Sequence, residues 1–200
     1  MKRLNNKGFT IIEMLIATIV FSVTLLIMTG AIIQFGKIYF KGTVQARTQQ
    51  TVRTALQDIS QSIQFGPVDP TGPFTDASGA QFYCVGNRRF TFIKDVQLGA
   101  GTGLSPHVLV ADDTPGCSAA YPAMTTAALP LGTRELLGER MQLTDFQITK
   151  VGDDLFQITL AVAYGESRDL ESDKKACKAL LNGGQFCAVS ILTTTVQQRF

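Results

Sequence analysis

The feature that most constrains this chain is a long apolar run that carries a single ionisable side chain. From Phe9 to Ile33 that side chain is Glu13, and every other residue is apolar, small or hydroxyl-bearing. About 25 residues of helix rise about 37 Å, which exceeds the roughly 30 Å hydrocarbon core of a bilayer. The run is therefore predicted to be a membrane-spanning helix over residues 9–33.

The charges that flank this run predict its orientation. Lys2, Arg3 and Lys7 precede it, with no acidic residue among them. Because positive charge is retained on the cytoplasmic side, we expect a single-pass protein of the cytoplasmic membrane with its N-terminus inside and residues 34–200 outside. A carboxylate at membrane depth is costly unless it is paired, so Glu13 is expected to have a function.

A short motif at the start of the run resembles the N-terminus of type IV prepilins and type II secretion pseudopilins. It reads Lys7-Gly8-Phe9-Thr10-Ile11-Ile12-Glu13. In that family a basic leader ends in glycine, a prepilin peptidase cuts after it, and a glutamate stands four residues beyond the phenylalanine that follows. The resemblance implies a leader over residues 1–8, cleavage between Gly8 and Phe9, methylation of the Phe9 amine, and assembly into a helical filament.

Cleavage would create a positive amine on Phe9, four residues from the carboxylate of Glu13. The two charges can pair within one helix, or between neighbouring subunits when one helix sits a step above the other. The alternative is that Glu13 lies near enough to the membrane surface to be hydrated. Removing one partner of a buried pair typically costs about 3–5 kcal/mol, so Glu13 is predicted to control assembly.

Other kinds of N-terminal segment fit less well. A secretory signal peptide has an apolar region of about 7–15 residues followed by a small-residue cleavage site, and this run is longer and contains Glu13. A plain signal anchor would require neither Gly8-Phe9 nor Glu13. A buried helix of a soluble protein is rarely apolar on every side over such a length.

Beyond the span, residues 34–65 are predicted to continue the helix as an amphipathic segment. Apolar residues recur there at spacings of four, three and four: Val52, Leu56, Ile59 and Ile63. Such spacing places them on one face of a helix. Gly66-Pro67 should end the helix, because proline removes a donor and disfavours the helical conformation before it. Residues 66–200 are predicted to form an extracytoplasmic, β-rich globular domain.

The strongest β signal in that domain is a hairpin. Residues 141–151 and 155–164 flank the turn Gly152-Asp153-Asp154, and the second strand alternates apolar residues onto one face. The first strand changes phase near Thr144-Asp145, which predicts a β-bulge.

The remaining segments carry weaker signals. Residues 81–85 and 90–96 are predicted to pair around Gly86-Asn87. Loops are expected over residues 66–80 and 97–106, and a short helical turn within residues 165–182. The final strand, residues 186–198, is apolar on both faces and is expected to be covered on both sides. The predicted fold class is α+β, with a long helix laid across an antiparallel sheet.

Four cysteines lie beyond the span: Cys84, Cys117, Cys177 and Cys187. An even number in an oxidising compartment predicts two disulfides, with three connectivities to choose from. Cys177 and Cys187 are close in sequence around a glycine-rich turn, which favours their pairing and leaves Cys84 with Cys117. Many pilins also carry a short C-terminal disulfide loop.

The composition argues against several functions. A net charge of +2 gives no basic face for nucleic acid, and the single histidine, His107, has no triad pattern around it. No catalytic residue, metal or cofactor is predicted, and Arg88-Arg89 is expected to be solvated. Some pseudopilins bind calcium, but the acidic groups here lack EF-hand spacing and are interpreted as turn residues. They are Asp112-Asp113, Asp153-Asp154 and the group of Asp169, Glu171 and Asp173.

The resemblance therefore implies a structural subunit and not an enzyme. It extends loosely, over residues 53–60 and 196–199, to minor pilins of the PilW or J-type pseudopilin-like branch. Such a subunit would assemble with other pilin subunits on an inner-membrane platform. One alternative is a J-like pseudopilin of a type II secretion system, and another is a membrane-anchored extracytoplasmic binding module that never polymerises. The Gly8-Phe9 motif and Glu13 favour a filament subunit.

Overall fold

The computed structural model describes residues 9–76, 79–99, 104–113, 117, 124, 129, 131–178 and 186–199. The leader residues Lys2, Arg3, Lys7 and Gly8 lie outside the described residues. The chain divides into two compact units, residues 1–40 and residues 41–200.

The described residues contain one long helix, ten strands and one short 3-10 turn. The helix, α1, spans Ile11–Gln64, and the 3-10 turn spans Ser167–Asp169 within the segment where a helical turn was expected. The strands are β1 (Thr71–Thr75), β2 (Gln81–Val85), β3 (Arg88–Phe92), β4 (Gln97–Leu98), β5 (Leu104–Ser105), β6 (Leu109–Asp113), β7 (Arg134–Glu135), β8 (Met141–Lys150), β9 (Leu155–Tyr164) and β10 (Ala188–Gln197).

In the first unit, α1 exposes apolar side chains in every direction. Every residue from Phe9 to Phe40 is exposed. The most apolar stretch of 18 residues in α1 has a mean hydropathy of 2.5, and none of it is buried. By length and composition α1 is long and apolar enough to cross a membrane. Such a surface requires lipid or neighbouring helices around it.

In the second unit, α1 is amphipathic, as its spacing predicted. The expected apolar stripe is buried in the core: Val52, Leu56, Ile59 and Ile63. The helix ends at Gln64, and the N–H of Gly66 donates to the carbonyl of Ile63 at 3.3 Å. The Gly66-Pro67 stop signal therefore predicted the end of the helix to within one residue.

The ten strands form two five-stranded sheets. Sheet 1 has the order β1-β2-β3-β6-β7, and sheet 2 has the order β10-β9-β8-β4-β5. All pairings are antiparallel except that of β4 with β5. A single apolar cluster contains side chains from α1 and from both sheets. The predicted α+β class, a long helix packed on antiparallel sheet, is confirmed.

Three aromatic rings join the two sheets. Phe146 of sheet 2 packs edge-on against Tyr83 and Phe92 of sheet 1, each at 5.1 Å between ring centroids. The hydroxyl of Tyr83 accepts the N–H of Ile148 at 3.3 Å, so a hydrogen bond also crosses between the sheets. Burial raises the pKa of Tyr83, which keeps this phenol neutral.

The hairpin of β8 and β9 is confirmed, and so is its bulge. The register between the two strands shifts between Leu143 and Asp145, where the change of phase was predicted. The alternating residues of β9 all face the core: Phe156, Ile158, Leu160, Val162 and Tyr164. The hairpin of β2 and β3 is also present, with Gly86 at a positive φ of 59° in its turn.

Three expectations about the β-structure are wrong. Strand β1 lies within the predicted loop 66–80, as the edge strand of sheet 1, where the missing N–H of Pro73 is tolerated. Strands β4 and β5 lie within the predicted loop 97–106. Strand β10 is not covered on both sides: it is the edge strand of sheet 2, and Ile191 is 46% exposed.

The expectation that Arg88-Arg89 is solvated is also wrong. Arg89 is buried and donates two hydrogen bonds to the carboxylate of Asp112, from Nε at 3.0 Å and from Nη2 at 2.6 Å. The two residues stand directly opposite each other on β3 and β6. Arg88 pairs with Asp58 of α1 at 3.1 Å and lies 3.4 Å from Asp113. The acidic pair Asp112-Asp113 is therefore neutralised by arginine.

Both expected disulfides are present. Cys84 of β2 is joined to Cys117, and Cys177 is joined to Cys187 just before β10. The second disulfide packs against Ala163 in a small apolar cluster on the face of sheet 2 opposite to α1. It ties the segment between β9 and β10 to the sheet.

Candidate functional site

Thr10 and Glu13 form a reciprocal cap at the start of α1. The backbone N–H and the hydroxyl of Thr10 both donate to Oε2 of Glu13, at 2.9 and 2.8 Å. In return, the backbone N–H of Glu13 lies 3.3 Å from the Thr10 hydroxyl oxygen and donates to it. This is a capping box, in which two of the unpaired N–H groups of the first helical turn are satisfied by side chains.

The cap occupies only one of the two carboxylate oxygens of Glu13. Both side-chain contacts with Thr10 involve Oε2, and Oε1 has no partner in the part of the chain that the structure describes. The side chain is exposed. One oxygen is therefore held in a fixed position by the protein's own helix, while the other remains open to a cationic group.

The other polar side chains of the span are all satisfied within α1. Each hydroxyl donates to a backbone carbonyl three or four residues earlier: Thr18, Ser22, Thr24 and Thr29. Such bonds allow hydroxyl groups to lie in a hydrocarbon environment. Glu13 is thus the polar residue of the described span whose bonding capacity remains incomplete.

Glu13 shares one face of α1 with a concave apolar patch. This patch is lined by Phe9, Ile16, Ala17, Val20, Phe21 and Thr24 together with Glu13. The spacing of four, three and four residues places these side chains along a single stripe. The open carboxylate oxygen is therefore located at the end of a surface suited to packing against another apolar helix.

The structure describes only some of the predicted site residues. Phe9 lies just before the helix and is 81% exposed, and Glu13 lies in the first turn. The remaining processing residues, Gly8 and the leader cations, lie outside the described residues. Thr10 is the residue that the sequence analysis missed. Its signal was present, because threonine followed three residues later by glutamate at a helix start is the capping-box pattern.

A histidine and a glutamate lie close together in the globular domain. His107 is only 5% exposed, and its Nδ1 lies 3.6 Å from Oε2 of Glu135. Neither ring nitrogen of His107 has a hydrogen-bond partner in the described part of the chain. The carboxylate of Glu135 accepts backbone N–H bonds from Val108 at 2.9 Å, Leu109 at 3.0 Å and Leu137 at 3.1 Å.

Burial raises the pKa of Glu135 to about 7, although these backbone N–H groups oppose the shift. The carboxylate connects the start of β6 to the segment after β7. Its geometry therefore supports a structural role for Glu135. Among the described residues no group of three or more histidine, cysteine or acidic side chains is arranged to hold a metal ion.

Comparison with known proteins identifies the N-terminal segment. Residues 3–29 match the family model for the prokaryotic N-terminal methylation motif, which includes Gly8, Phe9 and Glu13. No curated protein and no solved structure matches the chain. The motif and the long helix packed on antiparallel sheet define a pilin-like or pseudopilin-like protein. The match ends within α1, so it supports no particular branch of these proteins.

Proposed function

We propose that this chain is a structural, minor pilin subunit that is processed and then assembles into, or initiates, a type IV pilus-like filament. A prepilin peptidase removes residues 1–8 by cutting between Gly8 and Phe9, and the new amine of Phe9 is methylated. The N-terminal methylation motif over residues 3–29 supports this processing.

The protein is held before assembly in the inner membrane by residues 9–33. Lys2, Arg3 and Lys7 retain the N-terminus in the cytoplasm. Residues 34–65 continue the helix, and residues 66–200 form the extracytoplasmic domain. The unbroken exposure of apolar side chains from Phe9 to Phe40 supports a segment that exchanges lipid for neighbouring pilin helices on the assembly platform.

The observation that carries the proposal is the half-occupied carboxylate of Glu13. Thr10 fixes Oε2, and Oε1 is left open on the apolar face of the helix. The methylated amine on Phe9 of a neighbouring subunit is a cation of suitable size at a similar membrane depth. Pairing these charges satisfies the last incomplete polar group of the span at the moment when the helices come together.

The test compares two substitutions within the membrane span, each of which nearly preserves the size of the side chain. Glu13→Gln keeps the shape of the side chain and removes the charge, whereas Thr18→Val removes a hydroxyl that is already bonded within the helix. Both variants should be inserted and cut, which N-terminal sequencing from Phe9 would show. Glu13→Gln should be lost from sheared filaments, because the neighbour's amine would be buried without a counter-ion. Thr18→Val should assemble normally.

The same experiment contains the outcomes that oppose the proposal. An intact Met1 start, in cells that process other prepilins, would reject the processing step. Efficient entry of Glu13→Gln into filaments would remove the pairing role and favour a membrane-anchored binding module. A J-like pseudopilin would require the same charge pairing by Glu13, so these two variants do not distinguish it from a pilus subunit. Assembly of the chain in a strain that has pilus genes but no secretion channel would favour the pilus.

A further inference from the structure

The outer edge of β10 is a long strand edge that lacks the usual means of protection. Strand β10 pairs with β9 through ten consecutive residues without a register shift. It is the last strand of sheet 2, so no described strand pairs with its other side. An edge of this kind presents a row of N–H and C=O groups to any extended chain that approaches it.

The other three terminal strands of the two sheets are protected by familiar means. Strand β1 contains Pro73 and a register shift between Thr71 and Phe74. Strands β5 and β7 are only two residues long. Strand β10 instead reads Ala-Val-Ser-Ile-Leu-Thr-Thr-Thr-Val-Gln, with no charge and no proline. Short length, proline and bulges prevent edge-to-edge pairing, and β10 has none of them.

A groove lies directly beside this edge. It has a volume of about 700 Å³ and runs between β10 and the polar face of α1, where Gln57, Gln61 and Gln64 form part of its wall. The single charged side chain in its lining is Arg53, which is exposed and has no ion pair among the described residues. A strand added to β10 would direct alternate side chains into this groove.

The position of Arg53 along the groove follows from the direction of the two elements. The backbone N–H of Arg199, just after β10, donates to the carbonyl of Gln64, so the C-terminal ends of α1 and β10 meet. Arg53 lies eleven residues earlier on α1, about 17 Å away. That distance equals about five residues of strand, which brings Arg53 level with Thr194, near the middle of the C-terminal half of β10.

We infer that the β10 edge and its groove form a docking site for an extended segment of a different polypeptide. Its backbone pairs with β10, its side chains are mostly uncharged, and a carboxylate lies against Arg53. This is β-augmentation, in which main-chain hydrogen bonds supply affinity and pockets for alternate side chains supply selectivity. The inference does not depend on filament assembly.

Charge argues against a second copy of this chain as the occupant. A second copy would offer the same β10 edge, paired antiparallel about a two-fold axis. That arrangement would bring the Arg53 residues of both copies towards the same axis, and the groove contains no carboxylate to separate them. Like charges placed together in this way oppose association.

The test uses the full chain in detergent micelles and two synthetic ten-residue peptides. Both peptides alternate threonine with valine and are capped at their ends, and they differ only in a central glutamate or lysine. Hydrogen exchange should slow over residues 188–197 when the glutamate peptide is added, and should not change over residues 71–75 of the protected edge. The glutamate peptide should bind about fivefold more tightly than the lysine peptide, and Arg53→Gln should abolish that difference.

A pair of matched variants locates the site. Thr195 and Gln157 are direct cross-strand neighbours on β10 and β9, and both are exposed. Thr195→Lys places a charge on the edge strand and should weaken peptide binding. Gln157→Lys places the same charge one strand inward and should leave binding unchanged. Melting temperatures of both variants equal to that of the wild type would show that folding is intact.

Three outcomes would overturn the inference. Unchanged exchange over residues 188–197 would show that the edge does not accept a strand. Equal affinity for the two peptides would reject the acidic partner. Protection of residues 188–197 before any peptide is added, together with a dimeric mass that Thr195→Lys abolishes, would show that a second copy is the occupant.

Discussion

Glu135 makes the stability of the globular domain dependent on pH in a direction that can be measured. Burial raises its pKa from 4.5 to about 7 in the folded protein. A raised carboxyl pKa means that the folded state binds a proton more tightly than the unfolded state between these values. The contribution of Glu135 to folding is therefore greatest below about pH 4.5 and is lost as the pH rises to about 7. The loss amounts to about 3 kcal/mol, since a tenfold change in an equilibrium constant is about 1.4 kcal/mol.

The substitution Glu135→Gln isolates this effect. The amide has the shape of a protonated carboxyl group and does not ionise, so the variant should resemble the wild type near pH 4.5. Near pH 8 the variant should be more stable by up to about 3 kcal/mol. The assay is urea unfolding of the full chain in detergent micelles, followed by tyrosine fluorescence, because the chain has four tyrosines and no tryptophan.

Two controls separate the effect of Glu135 ionisation on stability from the effects of neighbouring residues. Glu139 is exposed four residues away, and Glu139→Gln should not reproduce the pH-dependent difference. Because His107 lies 3.6 Å from Glu135, the comparison is repeated with His107→Phe in both chains. A variant that is less stable than the wild type at pH 8 would refute the reasoning. It would mean that the three backbone N–H bonds to the carboxylate outweigh its burial.

Two further predictions concern the links that hold the domain together. Arg89→Met alone should lower the free energy of unfolding by about 3–5 kcal/mol, because Asp112 would remain buried without the guanidinium group of Arg89. The double variant with Asp112→Leu should recover most of that loss in the same urea assay, and equal losses would contradict the explanation. Replacing both Cys177 and Cys187 with serine should cost about 2–5 kcal/mol, and an unchanged thermal midpoint would show that their disulfide contributes nothing.

The features that sequence could predict are those determined by local periodicity. The spacing of Val52, Leu56, Ile59 and Ile63 determines which face of α1 is buried, and the change of phase at Thr144-Asp145 predicts the bulge in β8. Both signals lie within one element, where side-chain direction follows directly from backbone geometry. The Gly8-Phe9 motif is similarly local.

The features that sequence could not predict depend on which strands become neighbours. Arg89 is buried because β6 brings Asp112 directly opposite it, 23 residues further along the chain. Strand β10 looked like a central strand because its residues are uncharged, yet its place at the end of sheet 2 depends on the order of all five strands. The composition of a strand indicates which surroundings its side chains tolerate. It does not determine whether the fold places the strand at the centre or at the edge of a sheet.

Asp58 restricts how far α1 can shift along the sheets on which it packs. The apolar stripe of α1 repeats every three or four residues, so shifting the helix by one turn, about 5.4 Å, would again place apolar side chains over the sheets. Asp58 is placed between Arg88 of β3 at 3.1 Å and Arg134 of β7 at 2.8 Å. A shift of one turn would break both ion pairs and leave a largely buried carboxylate without a counter-ion. The Asp58 carboxylate therefore keeps α1 and sheet 1 in a single register. Under tension along the helix axis, α1 can shift along sheet 1 only after both ion pairs have broken.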